Sequence, residues 1–410
     1  MSGALNEITV CEVCGSGQLQ PALNLGLHPM CDDLVPIGDA RICKEYPIDI
    51  YYCDTCVTAH QHYQIPKHEL FPPTYHYRSR HTADVLNGMR QLVDACVDVA
   101  GGVQGKRVLD VGCNDGSLLS FFGERGSATF GIEPTGAAAD AAARGHMVIN
   151  DFLSEGVAEK FVAAHGKPDI IAFTNVFAHI EDLQSVIRAL KIASSPHTVI
   201  VIENHYFGAI LDKNQFDTFY HEHPRTYSYT SFEYVASALG KRIARVEFPQ
   251  RYGGNIRVFI SNTQDAVEQL TGLHAKERNF GERLQRLSVN VERWRVNKLA
   301  EIKAETERYG KIPAKAFPGR SAIPIKLLGL DERTISAVYE KPTSGKIGCY
   351  VPGTRIPILS DDEFEPGSGP LLNLAWHISD EITAYMRSRG FQGRIIDIIS
   401  KKDFGDASCE

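Results

Sequence analysis

The chain has 410 residues, of which 43% are hydrophobic and 23% charged, and a formal net charge of -7. This composition suits an ordinary globular protein of two or three domains and excludes a collagen, a disordered polymer or a disulfide mini-scaffold. The acidic balance offers no broad basic field for nucleic acid or anionic membrane, no run approaches the length of a membrane span, and no basic-then-apolar leader opens the chain; the expectation is a cytoplasmic protein that acts on a small molecule, without nucleic-acid or membrane partners.

Cysteine is concentrated early. Six of the ten fall in the first sixth of the chain, and four of these form "CEVC" (Cys11, Cys14) and "CDTC" (Cys53, Cys56). Each C-x-x-C resembles a zinc knuckle that presents two thiolates from one turn. Four thiolates saturate zinc, so the reading is a structural Zn2+ ion, with Cys31, Cys43 or His28 as conceivable further ligands. A reducible dithiol pair or plain buried cysteines explain the paired spacing less well. Next comes "LFPPTYHYRSRHT" (70–82), where Pro72 and Pro73 force an extended entry. Taken alone, it reads as a solvated linker.

The run 106–134 reads as strand (Val108 to Val111), glycine turn (Gly112 to Gly116), helix (Leu118 to about Arg125) and strand (Thr129 to Ile132) ending in Glu133. This is the order of a nucleotide-binding βαβ unit, with Glu133 set 21 residues beyond Gly112 to meet ribose hydroxyls. "VLDVGCNDG" lacks the third glycine of a dinucleotide fingerprint and resembles motif I of class I S-adenosylmethionine-dependent methyltransferases. Later strands follow in "MVINDFL", with Asp151 for the adenine amine and Phe152 over the ring, in "PDIIAFTNVFAHIEDL", which carries Asn175 and His179, and in "HTVIVIENHYF". The cofactor-binding candidates are Asp110, Gly112, Asn114, Gly116, Glu133, Asp151, Phe152 and Asn175. The cofactor expected is S-adenosyl-L-methionine.

After the fifth strand comes "FYHEHPRTYSYTS" (219–231), just ahead of a helix beginning near Thr230–Ser231. Histidine titrates near neutrality and a carboxylate can orient it, so Glu222 with His223 suits a base assembly; a polar loop bonded to itself suits the residues equally. The motifs "FDxxYxEH", the paired C-x-x-C, "YxYxS", "GCNDG", "NxxxHI" and "GGNIR" together resemble the sugar C-methyltransferase family of deoxysugar biosynthesis, in order and over nearly the whole chain. The resemblance implies an α/β protein with three parts: a zinc-binding module (1–72), a central Rossmann-like class I methyltransferase domain (73–275) and a C-terminal α/β Rossmann-like domain (276–410). The last of these contributes to a nucleotide-sugar site. It also implies that His223 is the general base, supported by Tyr220, Glu222, Tyr75, Asn175 and His179. The reaction implied is C-methylation of a nucleotide-linked 4-keto-deoxysugar through an enolate. A dTDP-linked sugar is the first expectation and GDP- or CDP-linked sugars the alternatives, with the protein a monomer or weak homo-oligomer.

In the C-terminal third, residues 279–310 read as one or two linking helices with Leu284, Leu287, Val291, Trp294 and Leu299 on an intermittent face. "AFPGRSA" holds Gly319, Arg320 and Ser321 where a phosphate loop is expected, and Lys341, Lys346 and Arg355 are candidate anion contacts. "PGTxIPI" and "WxxxEI" continue the resemblance. Two rival readings remain: O-methylation by the same site, and a zinc-ribbon nucleic-acid binder on a decayed methyltransferase core.

Overall fold

The computed structural model describes residues 5–73, 75, 77–81, 83–262 and 271–405. The chain divides into two compact units. One is assembled from Met1–Gln20, Tyr51–Ile210 and Glu222–Gly281, the other from Pro21–Ile50, Leu211–His221 and Glu282–Glu410.

The first unit is built on a seven-stranded sheet. In chain order it comprises α1 (Ala83–Ala100), β1 (Arg107–Val111), α2 (Ser117–Glu124), β2 (Ala128–Ile132), α3 (Ala137–Ala143), β3 (Met147–Ile149), α4 (Glu155–His165), β4 (Ile170–Thr174), α5 (Leu183–Ala193), β5 (Val199–His205), α6 (Tyr229–Ala238), β6 (Arg242–Glu247) and β7 (Asn255–Ser261). The strands lie in the order β3-β2-β1-β4-β5-β7-β6, parallel except for β7, which pairs antiparallel with both β5 and β6. Strand order reverses beside β1, the switch point where such sheets open a ligand crevice. Apolar runs are what this sheet demands, because helices cover both faces: β1, β4 and β5 are buried almost end to end. α1 supplies one cover, packing Val85, Met89, Leu92, Val93 and Cys96 against Val108, Ile170 and Val201. That spacing of three and four is one helical face.

The expected elements of 106–134 are present, with ends shifted by one or two residues. The stretch 70–82 differs from a solvated linker: its described residues are stitched into the first unit by hydrogen bonds given below.

The second unit holds a five-stranded parallel sheet: β8 (Ile312–Lys315), β9 (Ile335–Glu340), β10 (Ile358–Ser360), β11 (Leu371–Asn373) and β12 (Ile395–Asp397), in the order β10-β9-β8-β11-β12. It is a second Rossmann-like α/β fold. The segment 279–310 is one helix, α7 (Phe280–Tyr309). Leu284, Leu287, Val291 and Trp294 are buried as expected, but the face continues through Lys298 and Ile302 rather than Leu299. Lys298 is tolerated inside because its ammonium meets Glu301 at 2.6 Å, the Asp397 carbonyl at 2.8 Å and Asp403 at 3.2 Å. Among the described residues, no helix is long and apolar enough to cross a membrane.

Candidate active site and metal centre

The paired cysteines converge. One ligand atom from each of Cys11, Cys14, Cys53 and Cys56 lies within 4.8 Å of the others, with Cys11 and Cys56 sulfurs 3.4 Å apart and those of Cys14 and Cys53 3.5 Å apart. A tetrahedron of sulfurs ~2.3 Å from zinc has edges of about 3.8 Å, so the set fits the ion and leaves no open position. Without a cation these thiols compete for protons: hydrogen bonding with Cys11 pulls Cys53 down and pushes Cys56 up. Cys31, Cys43 and His28 belong to the second unit and lie outside the group.

The knuckles rest on a buried polar set. His60 places Nε2 3.3 Å from the Cys11 sulfur. The fully buried Arg225 pairs with the Glu12 carboxylate and donates to the Tyr227 hydroxyl at 3.0 Å. Burial raises the Glu12 carboxyl, but Arg225, His60 and Gln64 together outweigh it and hold the group at about 2. Thr58–Gln61, the strand after the second knuckle, pairs antiparallel with Arg225–Thr226, and Gln61 donates its N–H to the Pro224 carbonyl at 2.8 Å. The metal module therefore holds the chain immediately after His223.

The cofactor loop follows β1. Gly112 and Gly116 adopt φ of +71° and +75°, and a Cβ at Gly112 would sit 2.6 Å from the Val176 side chain. Asn114 is also left-handed, at φ 49°. Its N–H donates to Glu133 Oε2 at 2.9 Å, while the N–H and hydroxyl of Thr135 donate to Oε1 at 2.9 and 2.6 Å. This fixes the acid at the tip of β2. Burial, with Glu133 nearby, pushes the Asp110 carboxyl well above its ordinary range. Beyond β3, Phe152 donates its N–H to Asp151 Oδ1 at 2.7 Å; its ring meets the edge of His68 at 5.2 Å and Lys67 Nζ at 4.7 Å.

At the ends of β4 and β5 three imidazoles gather. His223 lies 4.9 Å from His179 and 5.5 Å from His205, ring centre to ring centre. Burial pushes His179 down to about 4, against hydrogen bonding with the backbone of Glu222 and Asn175. Glu222 and His223 are each only 6% exposed, and Tyr75 donates its hydroxyl to Glu222 Oε2 at 3.3 Å. Phe71 bridges Tyr75 and His179, its ring 5.5 and 5.3 Å from theirs. Of the sequence candidates, Tyr75, His179, Glu222 and His223 thus come together in the first unit, whereas Tyr220 falls in the second. His221, Tyr227 and Tyr229 are buried structural groups; His221 Nε2 meets the Tyr46 carbonyl at 3.2 Å and burial lowers it to about 4.

Sequence reasoning passed over His205 and the network beneath Asn175. Asn175 holds φ 55° and donates its N–H to the Glu203 carbonyl at 2.7 Å. Asn255 Nδ2 reaches Asn175 Oδ1 at 3.3 Å and Glu203 Oε1 at 2.9 Å, and Glu203, fully buried, also meets Arg251 at 3.1 Å and Arg257 at 2.7 Å. "GGNIR" and "ENH" held the signal, but only β-register sets Glu203 opposite Arg257 and His205 opposite Asn255.

In the second unit, the anion candidates are largely engaged. Arg320 forks onto Asp217 at 2.7 and 2.9 Å, Lys346 donates to the Phe317 carbonyl at 2.7 Å, Ser321 to the Leu374 carbonyl at 2.9 Å, and Arg355 clasps the carbonyls of Asp39, Ala40 and Arg41.

Comparison with known proteins matches three family models in succession: a zinc binding domain over residues 11–71, a methyltransferase domain over 80–244 and a C-methyltransferase C-terminal domain over 250–399. The C-methyltransferase NovU of Streptomyces niveus is 28% identical over 400 residues, covering 93% of each chain. A ubiquinone biosynthesis O-methyltransferase of Escherichia coli is 34% identical over 94 residues, 22% of this chain and 39% of its own. Among solved structures, magnesium protoporphyrin IX methyltransferase from Synechocystis PCC 6803 with bound SAH matches 44% of this chain and 86% of its own, at 17% identity and a TM-score of 0.34.

Proposed function

The chain belongs to the S-adenosylmethionine-dependent C-methyltransferase family, and we propose that its acceptor is a nucleotide-linked 4-keto-deoxysugar, methylated at a carbon beside the ketone. The observation that carries this reading is the grouping of His223, Glu222, Tyr75 and His179 at the ends of β4 and β5. A buried histidine–carboxylate pair is suited to a weakly acidic C–H, and a methyl acceptor of that kind needs a base rather than a metal ligand set.

S-adenosylmethionine, when bound, supplies an electrophilic methyl group on a sulfonium. His223 takes the proton from the carbon next to the ketone, and Glu222 orients its imidazole. Tyr75 turns its hydroxyl from Glu222 to the ketone oxygen as charge develops there. His179, kept neutral by burial, adds no competing positive charge beside the base. Gly112 and Gly116 let the backbone approach the cofactor, Asp110 and Asn114 flank it, Glu133 takes its ribose, Asp151 and Phe152 its adenine, and Asn175 lines the crevice beyond β4. The methyl-donor domain (73–275) supplies this machinery, and the zinc module (1–72) holds the chain that follows His223. Residues 276–410 take the nucleotide, with Lys341 as the favoured phosphate contact because Arg320 and Arg355 are already committed.

The test is a screen of dTDP-, GDP- and CDP-linked 4-keto sugars with 13C-methyl-labelled S-adenosylmethionine. The expected product carries a carbon-bound methyl by NMR; a methoxy signal overturns the reading in favour of O-methylation. His223→Ala should keep SAH affinity while turnover drops ~100-fold or more.

A further inference from the structure

The described residues of the stretch 73–80 (73, 75 and 77–80) run as a strap along the cofactor loop. Gly136 donates its N–H to the Pro73 carbonyl at 3.0 Å. Ser79 donates its N–H to Asn114 Oδ1 at 3.0 Å and its hydroxyl to the same atom at 3.4 Å, while Asn114 Nδ2 donates to the Tyr77 carbonyl at 3.1 Å. Arg80 donates its N–H to Asp115 Oδ2 at 3.0 Å. Arg78 pairs with Asp140 at 2.6 Å and donates to the carbonyls of Tyr75 and Tyr77 at 3.0 and 2.9 Å. This same strap carries Tyr75, whose hydroxyl reaches Glu222.

Asn114 stands where the two systems meet. Its left-handed backbone gives an N–H to Glu133, the acid of the cofactor pocket. Its side-chain amide spends its oxygen on Ser79 and an N–H on Tyr77, both in the strap. We propose that Asn114 is a positioning residue that links occupancy of the cofactor pocket to the placement of Tyr75 beside Glu222 and His223, so that the base assembly is set when the methyl donor is bound. The proposal rests on the roles assigned above to Tyr75, Glu222 and His223. The physical path is short and contiguous: Glu133 carboxylate, Asn114 backbone, Asn114 amide, strap backbone, Tyr75 hydroxyl, Glu222. Three of its links are directional hydrogen bonds and the others are covalent, so losing the amide removes the direct tie between strap and pocket acid and leaves only the contact of Arg80 with Asp115 to hold strap to loop.

Asn114→Gly tests this, because glycine accepts the left-handed backbone and removes only the amide; Asn114→Asp keeps an acceptor for Ser79 and serves as the conservative variant. The full chain is used, with SAH as the probe. The first measurement is amide exchange at Ser79 and Arg80. SAH should slow it in the parent chain and in Asn114→Asp, and should leave it unchanged in Asn114→Gly. Exchange indifferent to SAH in the parent chain overturns the proposal. The second is a double-mutant cycle with Tyr75→Phe. Asn114→Gly should lower kcat about 10-fold with a smaller change in SAH affinity, and Tyr75→Phe should then cost little more. Losses that simply multiply overturn the linkage. The exchange measurement needs no sugar, so an incorrect acceptor assignment shows as SAH-dependent protection without turnover of 4-keto sugars. A failed linkage shows instead as turnover with multiplying losses.

Discussion

His179 and His221 are imidazoles that burial holds neutral, each lowered to about 4. A depressed folded-state value means that the unfolded chain binds the proton first, from its ordinary 6.5 downward. The stability they contribute is therefore full above about pH 6.5 and lost as pH falls toward 4, by up to about 3 kcal/mol for each ring. Urea midpoints measured across that window should decline with acid, and His221→Gln should flatten the decline; an unchanged slope in that variant contradicts the assignment. Glu222→Gln should cost turnover less than His223→Ala, since it keeps the shape and removes only the charge, and equal losses in kcat speak against Glu222 as a mere orienting group. At this scale the sequence displays what is adjacent in it. Cys11 with Cys14, or Glu222 with His223, can be found by spacing. His205, Asn255 and Glu203 cannot, because their partners are chosen by strand register across about 50 residues of chain.

Two elements carry more than their local shape. In α7 the apolar periodicity announces the helix and its buried face up to Trp294, and fails at the next turn because Lys298 is buried on the strength of three polar partners that lie far along the chain or one turn away. Trp294 itself donates its indole N–H to the Ile398 carbonyl at 2.8 Å and packs its ring 4.7 Å from Phe216. Trp294→Ala should cost ~3–5 kcal/mol, read as a fall in urea midpoint at unchanged SAH affinity. The second element is the strand Thr58–Gln61, which links the zinc knuckle to the chain after His223. Removal of zinc by a strong chelator, or Cys53→Ser, should lower the thermal midpoint and reduce turnover more than it weakens SAH binding. Full turnover after verified metal loss would show that the knuckle does not support the base. This strand pairing is not legible in the sequence, since a two-residue partner such as Arg225–Thr226 has no periodicity to read.

Over the whole molecule, a chain that reads from its motifs as three consecutive parts folds into two units, each assembled from non-consecutive segments. The central sheet was legible because its parallel strands are short apolar runs followed by helix-compatible ones, whereas the C-terminal α/β part was expected from the family resemblance. The interleaving was not legible: residues 21–50 and 211–221 belong to the unit that also contains 282–410. Nothing in the hydrophobicity of a strand such as Glu45–Cys53 marks the residue, Ile50, at which it passes from one unit to the other.

That interleaving bears on how such a protein can be recombined. A chimera that borrows only the final 129 residues of a relative, from Glu282 to Glu410, transplants a fragment of a unit and leaves its other two segments behind with foreign neighbours. Exchanging 21–50, 211–221 and 282–410 together moves a complete packing solution. The three-segment graft should melt at a higher temperature than the tail-only graft, so this unit is better exchanged by patchwork than by a single crossover.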